Sequence, residues 1–129
     1  LLIVDDDGDD LQFFIDAIGE IDPRIRCLTA FNGIEALKLL ETNDTRPDYI
    51  FLDLNMPKMN GKQCLRHLKS SPLFQSIPVI IYSTSRRPED STEAREMGAA
   101  AFIVKPNKFY QLKNEISGVL QLTDKSLQA

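Results

Sequence analysis

The 129-residue chain is 43% hydrophobic and 26% charged, a balance that suits one compact domain with a single core. Its net charge of −4 gives a surface that repels phosphate backbones, which argues against direct nucleic-acid binding. No apolar run approaches the roughly 20 residues of a membrane helix and no secretory signal pattern is visible, so no membrane contact and a cytoplasmic location are expected.

The first apolar run, Leu1 to Val4, reads as a strand cut off by Asp5; it opens without Met, so leading residues are expected ahead of it. A helix follows with Leu11, Phe14, Ile15 and Ile18 on one face. Arg24 to Phe31 reads as the second strand, and Asn32 as the N-cap of a helix carrying Ile34, Leu37 and Leu40. Tyr49 to Leu52 is the third strand, ending at Asp53 and followed by the turn-rich stretch Asn55 to Gly61. Asn60 is expected to cap a third helix through Cys64, Leu65 and Leu68. Pro78 opens the fourth strand, Val79 to Tyr82. Pro88, Glu89 and Asp90 start a helix anchored mainly by Ala94 and Met97 and stopped by Gly98. Ala100 to Val104 is the fifth strand, and Phe109, Leu112, Ile116, Val119 and Leu120 mark the last helix. Cys27 and Cys64 fall in different elements without metal-type spacing and are expected to be buried, reduced thiols.

Strands alternating with helices imply a parallel sheet covered on both faces. The length favours an α/β, flavodoxin-like (βα)5 fold with strand order 2-1-3-4-5 over a barrel. One domain over residues 1–122 and a polar C-terminal tail over 123–129 are expected, with no repeat and no linker to a second domain.

The chemistry gathers where the apolar runs end. Strand one ends in Asp5, Asp6 and Asp7, strand three in Asp53, strand four in Ser83 and Thr84, and strand five in Lys105. In a parallel sheet these are all carboxyl ends, and open α/β sheets bind ligands along that edge where the strand order reverses. Two carboxylates about 4 Å apart repel by about 4 kcal/mol at an effective dielectric near 20, so a positive partner is required. A hard divalent cation with oxygen ligands fits, Mg²⁺ being preferred where waters and a phosphate complete its shell. Lys105 supplies a further positive charge and Ser83 a hydroxyl donor, which together make a set of parts for phosphoryl transfer. Singly, each piece has an ordinary explanation. The DDDGDD run could be a helix-capping turn, Asp53 and Ser83 turn residues, Lys105 a surface charge and His67 a surface residue. The placement of four such pieces at four carboxyl ends is what carries the argument.

The segments LLIVDDD, YIFLDLNMPKMNG, PVIIYSTS and AAFIVKP, in that order, resemble the response-regulator receiver domain over residues 1 to about 121. The resemblance implies that Asp53 is the phosphoacceptor and that Asp5 and Asp6 form the acidic pair. Asp6 would bind the metal directly and Asp5 mainly through water, with Asp53 and the Asn55 backbone carbonyl completing the protein ligands. It also implies that Ser83 and Lys105 contact the phosphoryl oxygens and that Phe102 occupies the aromatic switch position. A cis peptide bond before Pro106 would aim the lysine. The partners so implied are a sensor histidine kinase or histidine phosphotransfer protein as donor and a protein output partner reading the face of helix four, strand five and helix five. The wording is reminiscent of small stand-alone receivers serving bacterial phytochrome-type kinases, signalling proteins rather than enzymes acting on other substrates. Two departures stand out: Phe102 lacks a tyrosine hydroxyl, and Thr84 stands where a smaller residue is common. Asn55 and Ser85 offer no strong base near the acceptor, so a long-lived aspartyl phosphate is expected.

Three other protein classes share parts of this pattern. In a haloacid-dehalogenase-like phosphatase, Asp5 in Val4-Asp5-Asp6-Asp7-Gly8 would be the nucleophile, but that leaves Asp53 unexplained. A flavodoxin-like FMN binder needs a Ser/Thr/Gly-rich phosphate loop where this chain is acidic. A pseudo-receiver acting only as a binding module would have no need of the complete acidic pair, acceptor, hydroxyl and lysine.

Overall fold

The computed structural model describes residues 1–42 and 46–128, with side chains described through residue 121 outside 43–45. Five strands, β1 (Leu2–Val4), β2 (Leu28–Ala30), β3 (Ile50–Leu52), β4 (Val79–Ser83) and β5 (Ala101–Val104), form one sheet in the order β2-β1-β3-β4-β5. Every neighbouring pair is parallel. Between and after them come α1 (Gly8–Ile21), α2 (Gly33–Thr42), α3 (Gly61–Ser70), α4 (Pro88–Glu96) and α5 (Phe109–Gln128). This is the expected fold class and strand order.

Helices on both faces explain why β1, β3 and β4 are buried throughout rather than alternating. Their period of two shows instead in which core each side chain enters. Leu2, Val4, Ile50, Leu52, Val79 and Ile81 pack with Ala36 and Leu40 of α2, Cys64, Leu65 and Leu68 of α3, and Ala94 of α4. Ile3, Phe51, Ile80 and Tyr82 pack with Leu11, Phe14 and Ile18 of α1 and with Leu112 and Ile116 of α5. That second core is aromatic, with Phe14 against both Phe51 and Tyr82. Cys64 is buried, which pushes its thiol up to about 12, while Cys27 is only half-buried; neither is in a disulfide.

Several boundaries differ from the sequence expectation. β2 is three residues, not Arg24 to Phe31, because an edge strand has only β1 to pair with and its alternation is poor. On α2 the buried positions are Gly33, Ala36 and Leu40, and Ile34 is exposed: small residues face the sheet there. Met97 is half-buried at the end of α4, which leaves Ala94 as that helix's one buried side chain. The backbone of α5 stays helical through Gln128, so the stretch expected to be a tail from Thr123 continues the helix; Ala129 lies outside the described residues. Among the described residues no helix is long and apolar enough to cross a membrane.

Candidate phosphoacceptor site

Asp5, Asp53 and Lys105 each stand one residue beyond a strand, and each still donates its backbone N–H into the ladder. Asp5 N reaches Ala30 O at 3.0 Å, Asp53 N reaches Val4 O at 3.0 Å and Lys105 N reaches Ser83 O at 2.7 Å. The sheet therefore fixes the Cα positions while the side chains clear its edge. The β3–α3 connection is held equally closely. Gly61 N donates to Leu54 O at 2.9 Å, and a Cβ on Gly61 would stand 2.2 Å from Asp53 O, so only glycine admits the start of α3 this near the end of β3. Asn60 caps α3 through a reciprocal pair, its side chain accepting from Gln63 N at 2.9 Å and its own N–H donating to the Gln63 side chain at 3.0 Å. On the other side, Asp7 caps α1 by accepting from Asp9 N and Asp10 N.

The ammonium of Lys105 binds the cluster together. It lies 2.7 Å from Asp5 Oδ2, 2.8 Å from Asp10 Oδ2 and 3.3 Å from Asp53 Oδ2, with its side chain only 8% exposed. It also sits 5.2 Å from the centroid of the Tyr82 ring. Burial alone would lower its pKa, but hydrogen bonds to Asp10 and Asp5 and the nearby charges outweigh that, and it is raised. The lysine is thus a fixed cation. Asp5 is fully buried, and burial raises its carboxyl against the opposing pull of Lys105. Burial raises Asp53 to about 6, with Lys105 opposing and Asp5 reinforcing the shift. These acids are crowded, desolvated and short of positive charge.

One oxygen each of Asp5, Asp6 and Asp53 lie within 4.8 Å of one another, two from buried residues and one from an exposed residue open to water. All-oxygen donors with one open side fit a hard divalent cation, which would relieve the desolvated charge. The Asn55 N–H donates to Asp53 Oδ1 at 3.4 Å, so the chain turns back over Asp53 at the residue expected to lend its carbonyl. Ser83 is fully buried, its hydroxyl accepting from Ser85 N at 3.2 Å, and Thr84 beside it is exposed. Phe102 pairs with Ile81 in the sheet register and is half-buried against the core under α2, α3 and α4.

Two points depart from the expectation. No peptide bond among the described residues is cis, so Lys105–Pro106 is trans; that isomer is favoured for X-Pro bonds by about 0.5–1 kcal/mol, and with it Lys105 already reaches three carboxylates. Sequence reasoning also missed Asp10. The signal was present in the DDDGDD run, because the helix that Asp7 starts turns a residue of its first turn back toward the sheet edge.

A doubly wound parallel sheet thus carries an acidic, lysine-bridged cluster at its carboxyl edge. The response regulator receiver domain model matches residues 1–117, and the chain belongs to that family. Response regulator Rcp1 of Synechocystis is 29% identical over 93 residues, covering 68% of this chain and 63% of that protein. A probable cyclic di-GMP phosphodiesterase of Vibrio cholerae is 31% identical over 121 residues, 94% of this chain but 26% of that protein. The chain thus spans less than two thirds of these curated relatives. Among solved structures, the phosphorylated cyanobacterial phytochrome response regulator RcpA is similar with a TM-score of 0.84 at 30% identity, covering 92% of this chain and 88% of that one. The Mn²⁺-bound form of Rcp1 is similar with a TM-score of 0.78 at 25% identity, over the same shares of the two chains. Nothing in the site favours the phosphatase reading: Asp5 is the most enclosed of its carboxylates and is paired with Lys105.

Proposed function

We propose that Asp53 accepts a phosphoryl group from a phosphohistidine, carried by a sensor histidine kinase or a histidine phosphotransfer protein. The observation that carries this reading is a single one: the buried Asp53 carboxylate shares the Lys105 ammonium with Asp5, beside an oxygen set that fits a divalent cation. Asp5, Asp6, Asp53 and the Asn55 carbonyl would hold the cation, with Mg²⁺ the natural choice for this donor set. When bound, it supplies positive charge that neutralises the phosphoryl oxygens. An Asp53 carboxylate oxygen attacks phosphorus in line. A new P–O bond forms, the donor's P–N bond breaks, and the imidazole leaves with that electron pair. Lys105 and the Ser83 hydroxyl stabilise the transferred oxygens. Ser83 then draws the β4–α4 loop toward the acceptor and Phe102 turns inward behind it. The face of α4, β5 and α5 changes shape for a protein output partner, in a cytoplasmic setting. The chain's own chemistry is limited to gaining and losing this group.

Intact mass after incubation with acetyl phosphate and Mg²⁺ tests the assignment. The wild type is expected to gain one phosphoryl group, which chelation of the metal prevents, and Asp53→Asn to gain none. Equal labelling of the two proteins would overturn it.

A further inference from the structure

The phosphoacceptor reading leaves Asp10 without a role, although its carboxylate lies inside the site. Resting on that reading, we propose that Asp10 is a positioning residue that anchors the Lys105 ammonium so that one of its N–H bonds stays aimed at whatever Asp53 carries. An ammonium has three donors, and Lys105 meets three carboxylates, Asp5 at 2.7 Å, Asp10 at 2.8 Å and Asp53 at 3.3 Å. Asp5 and Asp53 belong to the oxygen set that fits a cation, and Asp53 is also the acceptor; Asp10 lies outside that set. It is therefore the one partner of the lysine that neither metal nor phosphoryl group claims. Lysine is a point charge on a flexible four-carbon stem and has no aim of its own, unlike a forked guanidinium. Asp10 provides a firm anchor because its own N–H is tied at 3.2 Å to the Asp7 side chain that starts α1. Its side chain is 37% exposed, so truncating it opens no sealed void. Its neighbour Asp9 is exposed and makes no side-chain contact with Lys105, which provides a matched control for charge alone.

The test compares labelling rates with acetyl phosphate and Mg²⁺ for the wild type, Asp10→Ala, Asp10→Asn, Asp9→Asn and Asp53→Asn. Label on the wild type and none on Asp53→Asn establishes the underlying reading on its own. Asp10→Ala is expected to lower the maximal labelling rate about tenfold, the loss of roughly one charge-assisted hydrogen bond, with a smaller change in KM. Asp10→Asn keeps an oxygen that accepts from Lys105, and Asp9→Asn removes the same charge without the contact; both are expected to stay within about threefold of wild type. A second readout needs no metal or donor: the Lys105 ammonium resonance in the metal-free protein should exchange its protons with water about tenfold faster in Asp10→Ala. The proposal is overturned if Asp10→Ala reaches the wild-type maximal rate, if Asp10→Asn or Asp9→Asn falls as far as Asp10→Ala, or if the Lys105 exchange is unchanged. Should the wild type take no label, the phosphoacceptor reading has failed, and the ammonium exchange alone decides whether Asp10 is the anchor.

Discussion

Helices α3 and α4 both begin just beyond strands that deliver site residues, but they are held in different ways. α3 starts with a reciprocal cap, buries Cys64, Leu65 and Leu68, and presses Gly61 against the backbone of Asp53 and Leu54. α4 starts at Arg87 with no side-chain cap and buries Ala94 alone. What holds α4 is largely polar and near the surface. Lys62 of α3 pairs with Asp90 at 2.9 Å and Glu93 at 2.8 Å, and Asp90 accepts the Ser85 hydroxyl from the β4–α4 loop. Exposed ion pairs contribute about 0–1 kcal/mol each, whereas three buried apolar side chains contribute several times that. Asp53 thus has a firmly seated neighbour on one side and a lightly clipped one on the other, and a small change at the edge is absorbed on the weaker side.

The largest effect should come from unlocking the rigid side. Gly61→Ala is expected to destabilise the fold by about 3 kcal/mol or more, because the obstructing atoms are backbone and cannot step aside. A chemical-denaturation midpoint within error of wild type would mean that α3 is not so tightly seated.

The site between the two helices has a pH signature. The folded-state pKa of Asp53 is raised to about 6 from the ordinary carboxylate value near 4, so over that interval the folded protein binds the proton more tightly than the unfolded chain. Its contribution to stability is full below about pH 4, falls as pH rises and is lost above about pH 6. Metal-free Asp53→Asn should therefore be more stable than wild type at pH 7–8 by on the order of 2 kcal/mol, a margin that closes as pH is lowered to about 4. Mg²⁺ should reverse the order by stabilising only the wild type. Thermal melts of both proteins across that range check the sign.

The smallest effects sharpen the contrast at the helix starts. Asn60→Ala removes the α3 cap and is expected to cost about 1 kcal/mol. Arg87→Ser supplies α4 with the cap it lacks and should add about 0.5 kcal/mol, giving up an exposed pair with Glu89 and a weak attraction to Asp90. No loss of stability in Asn60→Ala, or a loss in Arg87→Ser, would remove the asymmetry.

Much of this arrangement is legible in the sequence, and the reasons are physical. Strands buried on both faces appear as continuous apolar runs, and the residue that ends each run is the residue at the sheet edge; hence Asp5, Asp53 and Lys105 could be placed together without coordinates. The cap at Asn60 was legible because its geometry is local. What was not legible depends on distant neighbours. β2 shortens because it lies at an edge. Ala36 outranks Ile34 on α2 because close approach to the sheet selects a small side chain. Asp10 joins Lys105 only because α1 and β5 are brought together across 95 residues.

A phosphoryl group on Asp53 should be registered on the lightly held side of the site and not on the rigid one. Hydrogen exchange measured on the wild type before and after labelling with acetyl phosphate and Mg²⁺ tests it most directly. Protection is expected to change in residues 84–96, the β4–α4 loop and α4, while amides of α3 from Cys64 to Leu68 stay as they were. Unchanged exchange in α4, or a change of the same size in α3, would contradict it.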